Sequence, residues 1–262
     1  MNKANNSDGS ILKLIKLPDL FSILNALFGF TAILFVLGGT SVTEKALKDA
    51  LILILLAVVA DGLDGIVARN VESSPLGKYL DSLADMLSFG VAPAIVIYVA
   101  STNYFAIPAM YINVVLAFCG AYVISGMLRL ARFNAKESRF SFSTGFLLEK
   151  EKVYFEGFPI TGSATFLASF MLLLIELQLP LYSSASILIA LMGMLCILMI
   201  SRIRYRNIRD RRIVIPAGII FFMVLFFYLF SLPFVYPAAI IVVATAFYIC
   251  SPFARVFTPA LR

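Results

Sequence analysis

No histidine and no tryptophan occur in these 262 residues. The missing histidine excludes imidazole acid–base chemistry and histidine metal ligation. The missing tryptophan leaves any interfacial aromatic belt to Tyr and Phe. Cysteine is scarce. Cys119, Cys196 and Cys250 all fall inside apolar runs with no metal-ligand spacing, which reads as packing. Charge is thin as well: Asp, Glu, Lys and Arg together make up 14% of the chain, against about a quarter in an ordinary soluble domain.

What fills the chain instead is apolar. The hydrophobic share is 61% and the mean hydropathy is +0.96. This composition predicts an all-α fold, a polytopic bundle forming one integral-membrane domain over residues 1–262. A spanning helix needs about 20 apolar residues. Eight segments qualify, near 20–39, 46–68, 80–100, 107–131, 159–179, 184–201, 213–231 and 235–254. Gly38-Gly39, Pro75, Pro108, Pro180, Pro233 and Pro237 punctuate the breaks. The Met1–Ser10 stretch is polar and lacks an apolar signal core, so no cleaved signal is expected.

The net charge of +6 does not indicate nucleic acid, because the basic residues lie between apolar segments. Lys3, Lys13, Lys16, Arg69, Lys78, the group from Arg129 to Lys152, the Arg202–Arg212 run, Arg255 and Arg262 all fall on one side of an eight-span chain. Lys45 and Lys48 fall on the other, offset by Glu44 and Asp49. The positive-inside rule then places both termini, and the acidic 61–85 segment taken up next, on the cytoplasmic side of the cell membrane. The longest connection, about 133–158, reads equally well as an amphipathic surface segment or a flexible loop.

Four aspartates interrupt this pattern: Asp61-Gly-Leu-Asp64-Gly65-Ile-Val-Ala68-Arg69, seven residues, then Gly77-Lys-Tyr-Leu-Asp81-Ser-Leu-Ala-Asp85. Ionised carboxylates at a membrane edge are expensive, and four together repel one another. Spacings of three and four residues put each pair on one helix face. Pro75 and Gly77 supply the turn that brings the two helices together. Asp81 and Asp85 are expected in the first turns of their helix, where the dipole favours negative charge. Gly62, Gly65 and Ala68 leave room for a ligand, and Arg69 offers a fork suited to phosphate oxygens. Oxygen ligands without His or Cys suit two divalent cations, Mg²⁺ or Mn²⁺. The bland alternative is a set of helix caps and interfacial carboxylates.

The pattern Asp61-x-x-Asp64-Gly65-x-x-Ala68-Arg69 … Gly77-x-x-x-Asp81-x-x-x-Asp85 resembles the signature of the CDP-alcohol phosphatidyltransferases. Leu17–Asn25, Leu80–Pro93, Leu128–Asn134 and Glu156–Pro159 resemble one branch, the membrane-integral phosphatidylserine synthases. The resemblance covers about residues 17–165. It implies a six-helix family core over 17–200, with two additional C-terminal helices in 201–262. It also implies phosphatidyl transfer from CDP-diacylglycerol, or CDP-archaeol, to the hydroxyl of L-serine, releasing CMP, within a lipid membrane. By position, Asp61, Asp64, Asp81 and Asp85 would bind the metals, and Asp85 would be the general base. Gly65, Ala68, Arg69 and Gly77 would surround the CDP moiety. Arg129, Arg132 and Asn134 are candidates for the serine carboxylate and nearby phosphate. A homodimer is compatible with this assignment.

The chain departs from the family pattern in places. Seven residues separate Arg69 from Gly77 where eight are usual. Asp19 stands where the branch often has Asn, and Ile160-Thr-Gly162 follows Pro159 where a second Pro is common. Rival functions are an archaetidylserine synthase, a sister enzyme using glycerol 3-phosphate or inositol phosphate, and a cation transporter. A transport site would sit near the membrane midplane. Arg129 and Arg132 also read as positive-inside anchors, and Asn25 reads equally as a helix–helix hydrogen bond or a substrate contact.

Overall fold

The computed structural model of the protein describes residues 16–39, 42–67, 76–105, 107–141, 154–178, 181–206, 222–223, 226–230 and 232–256. It is mostly helical. Helix α1 runs Leu17–Leu37 and α2 runs Glu44–Val67. A third helical passage spans α3 (Gly77–Asp85), a π-segment (Met86–Val91), α4 (Ala92–Val99) and a second π-segment (Ala100–Tyr104). Then come α5 (Ile112–Ser141), strand β1 (Tyr154–Glu156), α6 (Ile160–Glu176), α7 (Leu181–Ile200), strand β2 (Arg204–Arg206) and α8 (Val235–Val256).

Among the described residues, Leu17–Leu37, Gly77–Tyr104, Ala109–Ala135 and Val235–Pro252 are long and apolar enough to cross a membrane. Ile160–Glu176 and Ser184–Ile200 are shorter apolar helices. Helix α2 has Glu44, Lys45, Lys48 and Asp49 near its start and Asp61 and Asp64 near its end, with apolar sequence between. Most of the expected span 213–231 lies outside the described residues, and 226–229 within it are helical.

Helix α1 packs along α2 and α3, α5 along α7, and α6 against α2 and α8. The third passage runs through the middle of the bundle, with Phe89, Ala92, Val96 and Ala100 fully buried. Pro93 explains a feature of it. Proline has no N–H for the carbonyl four residues back, which is Phe89. The buried Tyr122 Oη on α5 donates to that carbonyl at 3.1 Å. π-turns often mark functional sites, and this one begins directly after Asp85.

Two expectations need correction. Helix α5 does not stop near 131 but continues to Ser141. Hydropathy registers where the apolar layer ends; Ala135-Lys-Glu keep helix propensity beyond it. The fold is also not purely helical. Strands β1 and β2 pair antiparallel, Phe155 opposite Tyr205. Gly157 ends β1 at φ +81°, a conformation that favours glycine, and any Cβ there would run into the Met199 carbonyl. Phe158 follows into the core, where its ring lies 5.3 Å from Tyr205 and 5.9 Å from Tyr248 on α8. Residues 142–153 lie outside the described residues, so the two readings of the long connection stay open there.

Candidate active site

Asp19, Ser22 and Asn25 recur every three residues along the apolar helix α1, which puts them on one face. All three are buried, Asn25 completely. Asp19 turns back to accept from the Lys16 backbone N–H at 2.8 Å and so helps start the helix. Ser22 Oγ donates to Asp64 Oδ2 at 2.6 Å. Asn25 Nδ2 donates to Asp85 Oδ1 at 3.1 Å.

The carboxylates themselves come from two helices. Asp61 leaves α2, and Asp81 and Asp85 leave α3 one turn apart. Ligand oxygens of these three lie within 4.8 Å of one another. Asp85 is buried, Asp61 and Asp81 half-buried. Asp64 is also buried but points to Ser22 and stands outside the group of three. The expected dipole contact is not made: α3 begins at Gly77, so neither Asp81 nor Asp85 lies in its first turn, and Asp85 is its last residue. The helix dipole falls off within a turn. The polar contact recorded for Asp85 is instead the Asn25 amide.

Around the carboxylates, Gly62 and Gly65 have no atom of the described residues within 4 Å of where a Cβ would sit. Gly77 is the first residue of α3. Ala68 and Arg69 lie outside the described residues. Arg129 on α5 acts electrostatically on both Asp85 and Asp61, and its guanidinium carbon sits 5.9 Å from the centre of the Phe133 ring. Arg132 is engaged elsewhere: it donates to the Ile200 carbonyl at 3.1 Å and the Ser201 carbonyl at 3.3 Å, at the C-terminal end of α7. Asn134 Nδ2 donates to Ser82 Oγ at 2.9 Å, next to Asp81. Lys78 Nζ donates to the Asn134 carbonyl at 3.4 Å.

This donor set is hard and anionic, with neither nitrogen nor sulfur ligands in the group. It fits a divalent cation of the Mg²⁺ or Mn²⁺ kind. The profile of the CDP-alcohol phosphatidyltransferases matches residues 15–196. The chain belongs to that family. This phosphatidyltransferase is 38% identical over 205 residues to the archaetidylserine synthase of Methanothermobacter thermautotrophicus, covering 77% of this chain and 74% of the relative. It is 34% identical over 197 residues to the CDP-diacylglycerol–serine O-phosphatidyltransferase of Methanocaldococcus jannaschii, covering 75% and 76%. The Saccharomyces cerevisiae protein of the same name is 37% identical over 156 residues, which is 58% of this chain and 51% of the yeast protein.

Sequence reasoning missed Ser22 and Ser88, and left Asn25 between two roles. A signal was present. Asp19, Ser22 and Asn25 are polar residues three apart in an apolar span, a pattern that a membrane helix keeps only for a buried polar partner.

Proposed function

We propose that this phosphatidyltransferase moves a phosphatidyl group from a CDP-linked lipid to the hydroxyl of L-serine and releases CMP. The supporting observation is the meeting of Asp61, Asp81 and Asp85 from two helices, with Asp85 held by a buried amide. In this reading the serine oxygen attacks the phosphorus that carries the lipid glycerol. Asp85 takes the hydroxyl proton, a new oxygen–phosphorus bond forms, and the bond from that phosphorus to the CMP oxygen breaks. A positioned carboxylate base of this kind contributes about 10²–10⁴-fold.

Asp61, Asp64, Asp81 and Asp85 would hold two divalent cations, Mg²⁺ or Mn²⁺. Bound there, such ions neutralise charge on the pyrophosphate and the departing CMP. Gly65, Ala68, Arg69 and Gly77 are assigned to the CDP moiety, where the open space beside Gly62 and Gly65 supports the assignment. Arg129, Arg132 and Asn134 are assigned to the serine carboxylate and the adjoining phosphate. Arg129 takes first place because Arg132 would have to leave two helix-end carbonyls. The chain is read as eight membrane spans, a six-helix core over 17–200 with two further helices in 201–262. The Lys and Arg asymmetry supports a cytoplasmic site in the cell membrane. A cysteine placed at Gly145 in a cysteine-free background should resist impermeant labels from outside intact cells; labelling would reverse the orientation.

A second donor has support of its own, since one relative is named archaetidylserine synthase. The headgroup chemistry is the same for ester-linked and ether-linked tails. The test is CMP release by purified protein with CDP-diacylglycerol or CDP-archaeol. Each donor is offered L-serine, glycerol 3-phosphate or inositol phosphate. Release should require serine with at least one donor. Equal release with either phosphorylated alcohol contradicts the serine assignment.

A further inference from the structure

Ser22 and Asn25 share a face of α1, yet their hydrogen bonds leave for two different helices. Ser22 Oγ reaches Asp64 on α2 at 2.6 Å, and Asn25 Nδ2 reaches Asp85 on α3 at 3.1 Å. A third bond returns: Ser88 Oγ, on the π-segment after Asp85, donates to the Asn25 main-chain carbonyl at 2.8 Å. One turn further along, a Cβ on Gly29 would lie 2.6 Å from Ser88 Cα. Helix α1 therefore meets the π-segment almost backbone to backbone, and no larger residue fits at Gly29.

The orientation of the Asn25 amide is fixed. Its carboxylate partner accepts hydrogen bonds, so the NH₂ group must face Asp85. That leaves Asn25 Oδ1 buried with no hydrogen-bond partner among the described residues. An unpaired buried carbonyl is destabilising, and a simple packing residue such as leucine would avoid it. Helix cohesion alone does not account for an amide that satisfies only its carboxylate-facing half.

We propose that α1 is the template of the metal site. Ser22 and Asn25 are positioning residues that fix the directions of Asp64 and Asp85, and they act only through those carboxylates. The idea rests on the metal-dependent transfer described above. Hydrogen-bond partners of ligating carboxylates typically change metal affinity by about 10–100-fold when removed.

The test is Mn²⁺ binding to the purified full-length protein in detergent. Free Mn²⁺ is followed by electron paramagnetic resonance, without lipid or serine, and each variant's Tm is recorded. Asp85→Asn should lose most binding. Asn25→Ala and Ser22→Ala should bind about 10–100-fold more weakly, while Ser22→Thr, which keeps the hydroxyl, stays near wild type. If the wild type binds no Mn²⁺, or Asp85→Asn binds like wild type, the metal site itself fails and the template falls with it. If Asp85→Asn loses binding but both alanine variants bind like wild type, the metal site stands and the template is overturned, whatever happens to Tm. Should Asn25→Ala not fold, Ser22→Ala against Ser22→Thr decides, and equal affinities overturn the proposal.

Discussion

Helix α2 carries acidic residues at both ends, and the protein treats the two ends differently. At its first residue, Glu44 pairs with Lys48 at 2.8 Å, and the same Lys48 holds Glu176 of α6 at 2.7 Å. Gln178 Nε2 and Tyr104 Oη each donate to Glu44 at 3.4 Å. About 26 Å along the helix axis, Asp61 joins Asp81 and Asp85 within 4.8 Å. That separation is close to the hydrocarbon thickness of a bilayer, about 30 Å. At the Glu44 end the chain supplies a cation placed between two carboxylates, and the result ties α2 to α6. At the Asp61 end three carboxylates are drawn together; the Asn25 amide holds Asp85, and the Arg129 guanidinium acts on Asp85 and Asp61 from α5. One cluster seats its cation between its carboxylates. The other brings carboxylate oxygens together with no ammonium placed between them among the described residues.

Substitutions can break this contrast. The largest effect should follow Asp85→Asn, which keeps the shape but cannot accept a proton and is a poorer metal ligand: turnover falls by at least the roughly 10²–10⁴-fold of a lost base, the weakened metal adding to it, while appreciable CDP-lipid binding survives. Asp61→Asn should weaken CDP-lipid binding more than Asp85→Asn does in a nucleotide titration with metal present. Near wild-type turnover for Asp85→Asn would remove it as the base.

Arg129→Ala comes next. Losing a charge-assisted contact to the serine carboxylate costs about 1.5–3 kcal/mol, so the KM for serine should rise at least tenfold with a smaller fall in kcat. Arg132→Ala should raise the serine KM less and lower Tm as well, through the lost contacts at the end of α7. An unchanged KM would leave Arg132 with the helix end alone. The smallest effect on turnover belongs to Lys48→Met. It should cost about 1–3 kcal/mol of stability, between the exposed and buried limits for ion pairs, and leave kcat and KM unchanged. A large loss of activity at full stability would mean the Glu44 cluster is not structural.

The meeting of Asp61, Asp81 and Asp85 was legible because residue types and helical spacing specify it locally, whereas Asp64, expected beside them, takes Ser22 as its partner and stands outside the group. The order of helices was legible because apolar length follows the membrane. What stayed hidden depends on pairs far apart in sequence. Ser22 reads as an ordinary small residue until Asp64, 42 positions on, accepts its hydrogen bond. Tyr122 reads as an aromatic in a span until Pro93 withholds an N–H from the Phe89 carbonyl. The β1–β2 pairing joins Glu156 to Arg204 across two helices, and three-residue strands carry no periodicity to detect. The end of α5 was misplaced because hydropathy marks the membrane edge rather than the helix end.

In the function proposed above, the Asp61–Asp81–Asp85 site works only with a divalent cation. The most direct measurement uses purified protein stripped with chelator, then given a CDP-lipid and L-serine. CMP and the serine phospholipid are counted before and after Mn²⁺ or Mg²⁺ is returned. The stripped protein should give no product, and CMP and serine phospholipid should appear in equal amounts once the cation is restored. Full turnover by the stripped protein would contradict it.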